Sequence, residues 1–153
     1  MAKKKLPQSM QALIGEIGEQ VVLLRLAIFA HNHRGWQVFR NVGASGYDIL
    51  LSGAKIRKPI KIEVKTRQRL HTTSKRPTIA NFYLTRGERL ASDFLIAYWL
   101  ERGEFYIVPA KYLKPVRKGK SYRFTVTLKK DNQPGDGSAG FLNKWALLHS
   151  DFN

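Results

Sequence analysis

The sequence predicts a single α/β domain, and three observations predict it. Apolar residues recur at helical spacing from Ser9 to about Ala30, and several short runs with strand character follow. No internal repeat and no long linker divides the 153 residues, which suit one domain with one proper core. The balance of 43% hydrophobic and 25% charged residues belongs to a folded chain rather than a disordered one.

Charge narrows the partners. Lys and Arg number 27 against 11 Asp and Glu, a formal charge of +16. Self-repulsion on that scale points to a polyanion, nucleic acid first. Cysteine is absent, which excludes a disulfide scaffold, a thiolate metal site and a Cys nucleophile. The basic start Met1 to Lys5 is followed by the polar Gln8-Ser9-Met10-Gln11, unlike a secretory signal. The longest apolar run, Val21 to Ala30, is interrupted by Arg25 and falls short of the ~20 residues a spanning helix needs. The expectation is a cytoplasmic or nucleoid-associated protein with no membrane partner.

Taken in order, the first element is a helix in which Met10, Leu13, Ile14, Ile17, Val21, Leu24 and Ile28 share helical spacing, with Ser9 as its N-cap. Val22, Leu23, Leu26 and Phe29 fill much of the remaining circumference, so the helix is expected to be buried rather than laid on a surface. His31-Asn32-His33-Arg34-Gly35 ends it. Strands are expected at Trp36–Arg40, Tyr47–Leu51 and Ile60–Thr66, the second opened by the turn residues Gly43 to Gly46. In the third, Ile60, Ile62 and Val64 point one way and Lys61, Glu63 and Lys65 the other. Gln68 to Pro77 reads as a loop and Gly87 to Ser92 as a helical turn. Asp93 to Leu100 suits a central strand, joined through the turn Glu101 to Glu104 to a strand Phe105–Val108. A short helix at Pro109–Leu113, a strand at Tyr122–Leu128, a Gly-rich loop from Asp131 to Gly140 and a terminal element at Phe141–His149 complete the chain.

In a chain this basic, the carboxylates carry the information. From Gln20 to Gly87 only Asp48 and Glu63 are acidic. Both stand on expected strands among Ile, Leu and Val, where such residues are disfavoured. Two carboxylates brought together in a partly apolar site repel unless a cation or proton intervenes. Magnesium is the natural cation, with manganese as substitute, because it takes oxygen ligands and is commonly held by one or two carboxylates plus phosphate. Lys65 is two residues beyond Glu63, so period two puts both side chains on one face. Carboxylate, carboxylate and amine suit phosphodiester hydrolysis, with the metal activating water and the ammonium steadying charge on phosphorus.

Asp48 followed by Glu63-Val64-Lys65 on consecutive strands, after a helix bearing Glu16 and Glu19, resembles the PD-(D/E)XK nuclease superfamily. Gly15 to Glu19, Gly46 to Leu51 and Ile62 to Thr66 are most similar to its small single-domain members, archaeal Holliday-junction resolvases and intron-encoded homing endonucleases among them. Asp93 to Trp99 and Phe105 to Pro109 resemble later core strands. The resemblance covers about residues 10–115 and leaves 116–153 as a basic extension of one 1–153 domain. It implies a restriction-endonuclease-like mixed sheet flanked by helices, with an αβββαβ core. It further implies that Asp48 and Glu63 are metal ligands aided by the Val64 carbonyl, and that Lys65 is the catalytic lysine. A helix glutamate would support a metal or its water: Glu19, which shares a stripe with Val22 and Leu26, with Glu16 in reserve. Tyr47 stands where the name-giving proline would be, a position that varies in the family.

Other motifs carry less. Histidines at a helix end are favoured by the dipole, so His31-Asn32-His33 reads as a terminus and not as the nuclease motif it spells. Gly135 to Gly140 fits GxGxxG but lacks a βαβ unit around it and reads as a loop. Trp99, Phe105 and Tyr106 lie in apolar runs and read as core. Nine Lys or Arg between Lys55 and Arg76, and eight between Lys111 and Lys130 with no acid, read as arms along a phosphate backbone. Arg67, Gln68, Arg69, Lys75 and Arg76 are the first candidates for DNA contact.

The expected function is a magnesium-dependent endonuclease acting on duplex or branched DNA, either a junction resolvase or a site-specific enzyme of homing or restriction type. The rival is a non-catalytic nucleic-acid binder that keeps the nuclease fold. One such site cuts one strand, so symmetric cutting requires a homodimer or higher oligomer. Apolar surface in the C-terminal third is the expected contact.

Overall fold

Proline starts the first element. In the computed structural model, which describes residues 6–33, 35–43, 46–54, 58–68 and 78–150, Pro7 (φ −52°) is the N-cap of helix α1, Gln8–His31. Its ψ of 147° is not helical, but its carbonyl accepts the first helical bond, from the Gln11 N–H at 3.0 Å. Ser9 therefore lies inside the helix and makes no cap, contrary to the sequence expectation. At the other end the backbone N–H of Asn32 donates to the Ile28 carbonyl, and His33 Nδ1 lies 2.7 Å from the Phe29 carbonyl. The histidine-rich stretch is thus a helix terminus.

Five strands form the main sheet: β1 (Trp36–Arg40), β2 (Ile49–Gly53), β3 (Ile60–Arg67), β5 (Phe94–Trp99) and β6 (Glu104–Pro109), in the order β1-β2-β3-β5-β6. Neighbours are antiparallel except β3 and β5, which run parallel, so the sheet is mixed. A parallel pair needs a crossover. Here it consists of β4 (Ile79–Thr85) and helix α2 (Arg86–Ala91). Strand β4 joins a second, three-stranded sheet in the order β4-β8-β7, with β7 at Lys114–Val116 and β8 at Ser121–Thr127. Helices α3 (Asp136–Ala139) and α4 (Leu147–Ser150) are single turns.

Two cores follow from the alternation of side chains. On one face of the main sheet Ile60, Ile62, Val64, Phe94, Ile96 and Ile107 pack against Val22, Leu26 and Ala30 of α1, with Leu148 of α4. On the other, Leu95, Ala97, Trp99, Tyr106 and Val108 pack against Ala80, Phe82, Leu84, Phe124 and Val126 of the small sheet. All six residues of β5 are buried because it is covered on both sides. Strand β8 and helix α4, both beyond residue 115, supply side chains to these cores. No helix among the described residues is long and apolar enough to cross a membrane.

Helix α1 departs from expectation in its burial. Only Gly18, Val22, Leu26 and Ala30 are fully buried, one stripe at i, i+4 spacing, while Met10, Leu13, Ile17, Leu24 and Ile28 are exposed. A single sheet covers one face of a helix, and nothing among the described residues covers the other. Helix and sheet come close at Gly18, where a Cβ would overlap the Thr66 side chain of β3. Gly18→Ala should therefore destabilise by about 1–3 kcal/mol despite alanine's better helix propensity. Gly15→Ala, where a Cβ meets nothing within 4 Å, should stabilise by roughly 0.5–1 kcal/mol. Urea unfolding of the two variants checks the opposite signs.

Candidate active site

Strand register brings the two isolated acids together. Ile49 of β2 pairs with Ile62 of β3, so Asp48, one residue before β2, comes opposite Glu63. Its N–H donates to the Ile62 carbonyl at 2.9 Å, and its Oδ2 accepts the Val64 N–H at 2.8 Å. These bonds hold the carboxylate against the edge of β3. Glu63 pairs with Leu95 and Lys65 with Ala97, on the face that looks toward the small sheet. Glu63 is 4% exposed, although its position in the Lys-Glu-Lys alternation is the one solvent would ordinarily take.

Lys65 Nζ lies 2.8 Å from Glu63 Oε1 and 3.0 Å from Glu88 Oε1. Glu88 was not singled out by the sequence. It is fixed by a capping box at the start of α2, where its Oε2 accepts the Thr85 N–H at 2.7 Å and its own N–H donates to Thr85 Oγ1 at 3.2 Å. One carboxylate oxygen therefore closes the helix while the other grips the lysine. The Thr85-x-x-Glu88 spacing is the signal that could have found it.

Glu19 faces the same region from α1. Its Oε2 lies 3.5 Å from Arg40 Nη2, and the charge of Asp48 acts on it. Glu16 is exposed.

Protonation reflects this crowding. Burial pushes Glu63 up to about 7, the charge of Asp48 adds to the rise, and the Lys65 hydrogen bond opposes it. Asp48 is raised by burial, against the pull of the Val64 N–H and Lys65. Glu19 is raised by burial and then by Asp48, with Arg40 opposing. For Lys65, burial favours the neutral amine, but its bonds and charge pairing with Glu63 and Glu88 outweigh that and hold it above the ordinary lysine value. Glu88 ends below the ordinary glutamate value, since the Thr85 N–H and Lys65 outweigh its burial.

Asp48 and Glu63 offer oxygen donors of the kind a hard divalent cation takes. Two adjacent carboxyls that resist losing their protons gain from a cation between them. Among the described residues no three His, Asp or Glu side chains form a metal-binding group, so water and phosphate would have to complete the shell of an ion held by Asp48, Glu63 and the Val64 carbonyl.

Of the expected DNA contacts, Arg67 ends β3, where its Nε donates to the Asn81 carbonyl at 2.7 Å and its guanidinium lies 5.9 Å from the Tyr83 ring centroid. Gln68 follows it, half-buried. Arg69, Lys75 and Arg76 lie outside the described residues. On the small sheet and its margins Lys111, Lys114, Arg117, Lys118, Lys120, Lys129 and Lys130 are exposed. Trp99, Phe105 and Tyr106 are core residues, as expected.

No protein-family model and no curated protein matches the chain. Solved structures do. A bacterial homing endonuclease, I-Ssp6803I, superposes with a TM-score of 0.64 at 20% identity, over 92% of this chain and 93% of that one. Hjc, a Holliday junction resolvase from the archaeal hyperthermophile Archaeoglobus fulgidus, superposes with a TM-score of 0.57 at 17% identity, over 89% and 95%. The chain has the fold of these nucleases. Within that fold, Asp48, just before β2, stands beside Glu63 and Lys65 of β3.

Glu63 gives this cluster a pH signature. Its pKa rises from 4.5 to about 7 on folding, so its contribution to stability is full below the unfolded value and is lost as pH rises through about 7. In EDTA, wild type should lose melting temperature relative to Glu63→Gln between about pH 5 and 8. A difference between the two that stays constant with pH would contradict the assignment.

Proposed function

We propose that the chain is a magnesium-dependent endonuclease that hydrolyses DNA phosphodiester bonds, with manganese able to replace magnesium. One observation carries this reading. Asp48, Glu63 and Lys65 converge across two adjacent strands, with the ammonium 2.8 Å from one carboxylate and the other carboxylate bound to the intervening Val64 N–H.

A divalent cation held by Asp48, Glu63 and the Val64 carbonyl would polarise a phosphate oxygen and acidify a bound water. The remaining work falls to the chain. An ammonium has three donors, and Lys65 spends two on Glu63 and Glu88. The third is available to a non-bridging phosphate oxygen or to the attacking water, where it would offset developing negative charge. Glu88 keeps Lys65 oriented, and Glu19 would support the metal or its water from α1. Arg67, Gln68, Arg69, Lys75 and Arg76, together with the exposed cations around β7 and β8, would neutralise flanking phosphates.

The similarity to a homing endonuclease and to a junction resolvase supports a nuclease acting on duplex or branched DNA. Two copies would be required for symmetric cuts, since each site addresses one strand.

The test is a magnesium titration with supercoiled plasmid and a synthetic four-way junction. Wild type should cleave at least one of the two, EDTA should abolish the activity, and Lys65→Ala should lower the rate by about 10²-fold or more. Paired symmetric cuts in the junction would identify a resolvase, and plasmid cutting without junction preference a site-specific or general nuclease. A well-folded wild type that cleaves neither would sink the proposal and leave a binding protein.

A further inference from the structure

The outer face of α1 is an apolar surface that the proposed reaction does not use. Met10, Leu13, Ile17, Leu24 and Ile28 are 41–61% exposed along it, and half-buried Ile14 and Val21 complete the stripe. Met10, Ile14, Ile17, Val21, Leu24 and Ile28 follow one another by alternating steps of four and three residues. This is the 3.5-residue period of a seam between two helices, with β-branched Ile14, Val21 and Ile28 in one set of positions and Met10, Ile17 and Leu24 in the other. The sheet-facing stripe is Gly18, Val22, Leu26 and Ala30, and Val21 borders both, half-buried against the core.

We infer that this face pairs with the same face of a second copy of the chain. Two arguments select that occupant. The exposed halves of five large side chains amount to roughly 500 Å², near the upper end of the largest patch on a typical monomer. Doubled by a two-fold axis, that comes to about 1,000 Å², the size at which a specific interface begins. Charge points the same way. The stripe has no ionised residue and is edged by Gln20 and Ala27 on one side and Arg25 on the other, so in a chain of net charge +16 it is a place where two copies meet without opposing cations. The C-terminal third, by contrast, exposes only Tyr112 among large hydrophobics of the described residues. The contact expected there is replaced by α1.

Pairing of this kind leaves the acidic cluster open. Glu19 lies on the opposite side of the helix from Ile28, since nine residues at 3.6 per turn are two and a half turns. The two clusters of a dimer would thus face outward from the seam. The inference does not depend on the reaction, because its test reads mass.

Sedimentation equilibrium of the full chain, up to roughly the tens of micromolar typical of weak dimers, should give twice the chain mass. Leu24→Lys and Ile17→Lys should halve it with melting temperature and circular dichroism of the monomer intact, since both side chains are solvent-facing. Leu90→Lys is the control: it adds the same charge at an exposed leucine of α2, and its mass should remain doubled. Three results overturn the inference. They are a monomeric wild type, whether or not it binds phosphatidylserine vesicles, a dimer that survives Leu24→Lys and Ile17→Lys, and a dimer dissociated equally by Leu90→Lys.

Discussion

The structure turns on the cost of setting Asp48 beside Glu63 inside an apolar sheet. Three carboxylates, Asp48, Glu63 and Glu88, share one ammonium, Lys65, in a chain that elsewhere has cations to spare. A buried excess of negative charge is tolerated only where protons or a cation relieve it, and both Asp48 and Glu63 respond by holding their protons more tightly. Such a cluster weakens the fold that contains it.

Every neighbouring element contributes to that cluster. The antiparallel register of β2 on β3 puts Asp48 opposite Glu63. The crossover between β3 and β5 leaves the main sheet, adds a strand to the small sheet and returns through α2, delivering Glu88 to Lys65. The small sheet is therefore more than a cover for Trp99 and Tyr106. It carries exposed lysines on the same layer whose first strand ends in the residue that caps Glu88. Arg67 ties the two sheets again at the end of β3 through the Asn81 carbonyl.

Much of this was legible in the sequence, for physical reasons. The acids of the cluster were visible because the chain around them is so basic, and the alternation of Ile60 to Lys65 assigned their face. The central strand at Phe94–Trp99 was visible because burial on both sides demands an unbroken apolar run. Strand β4 was missed because its buried positions begin with Ala80 and its outward ones include Asn81, a weak strand former. Three-residue β7 and the single turns α3 and α4 are too short to show a period. The capping-box spacing of Thr85 and Glu88 was legible, but the ion pair of Glu88 with Lys65 was not, because the two are 23 residues apart and meet only in the fold. The burial of α1 was misread because apolar content all round a helix says how many faces want cover, not how many the same chain supplies.

The contact of Gly18 with Thr66 acts as a keyway between helix and sheet. Thr66 Oγ1 is buried there without a hydrogen-bond partner, so its seat is one of shape. Glu19 is the next residue along, and sliding the helix by one turn would displace it by ~5.4 Å relative to Asp48. A bare hydrogen at position 18 thus sets the address of an acid at position 19. Evolution could exchange Thr66 for a side chain of equal girth, but a bulkier one would unseat the helix and move the glutamate with it.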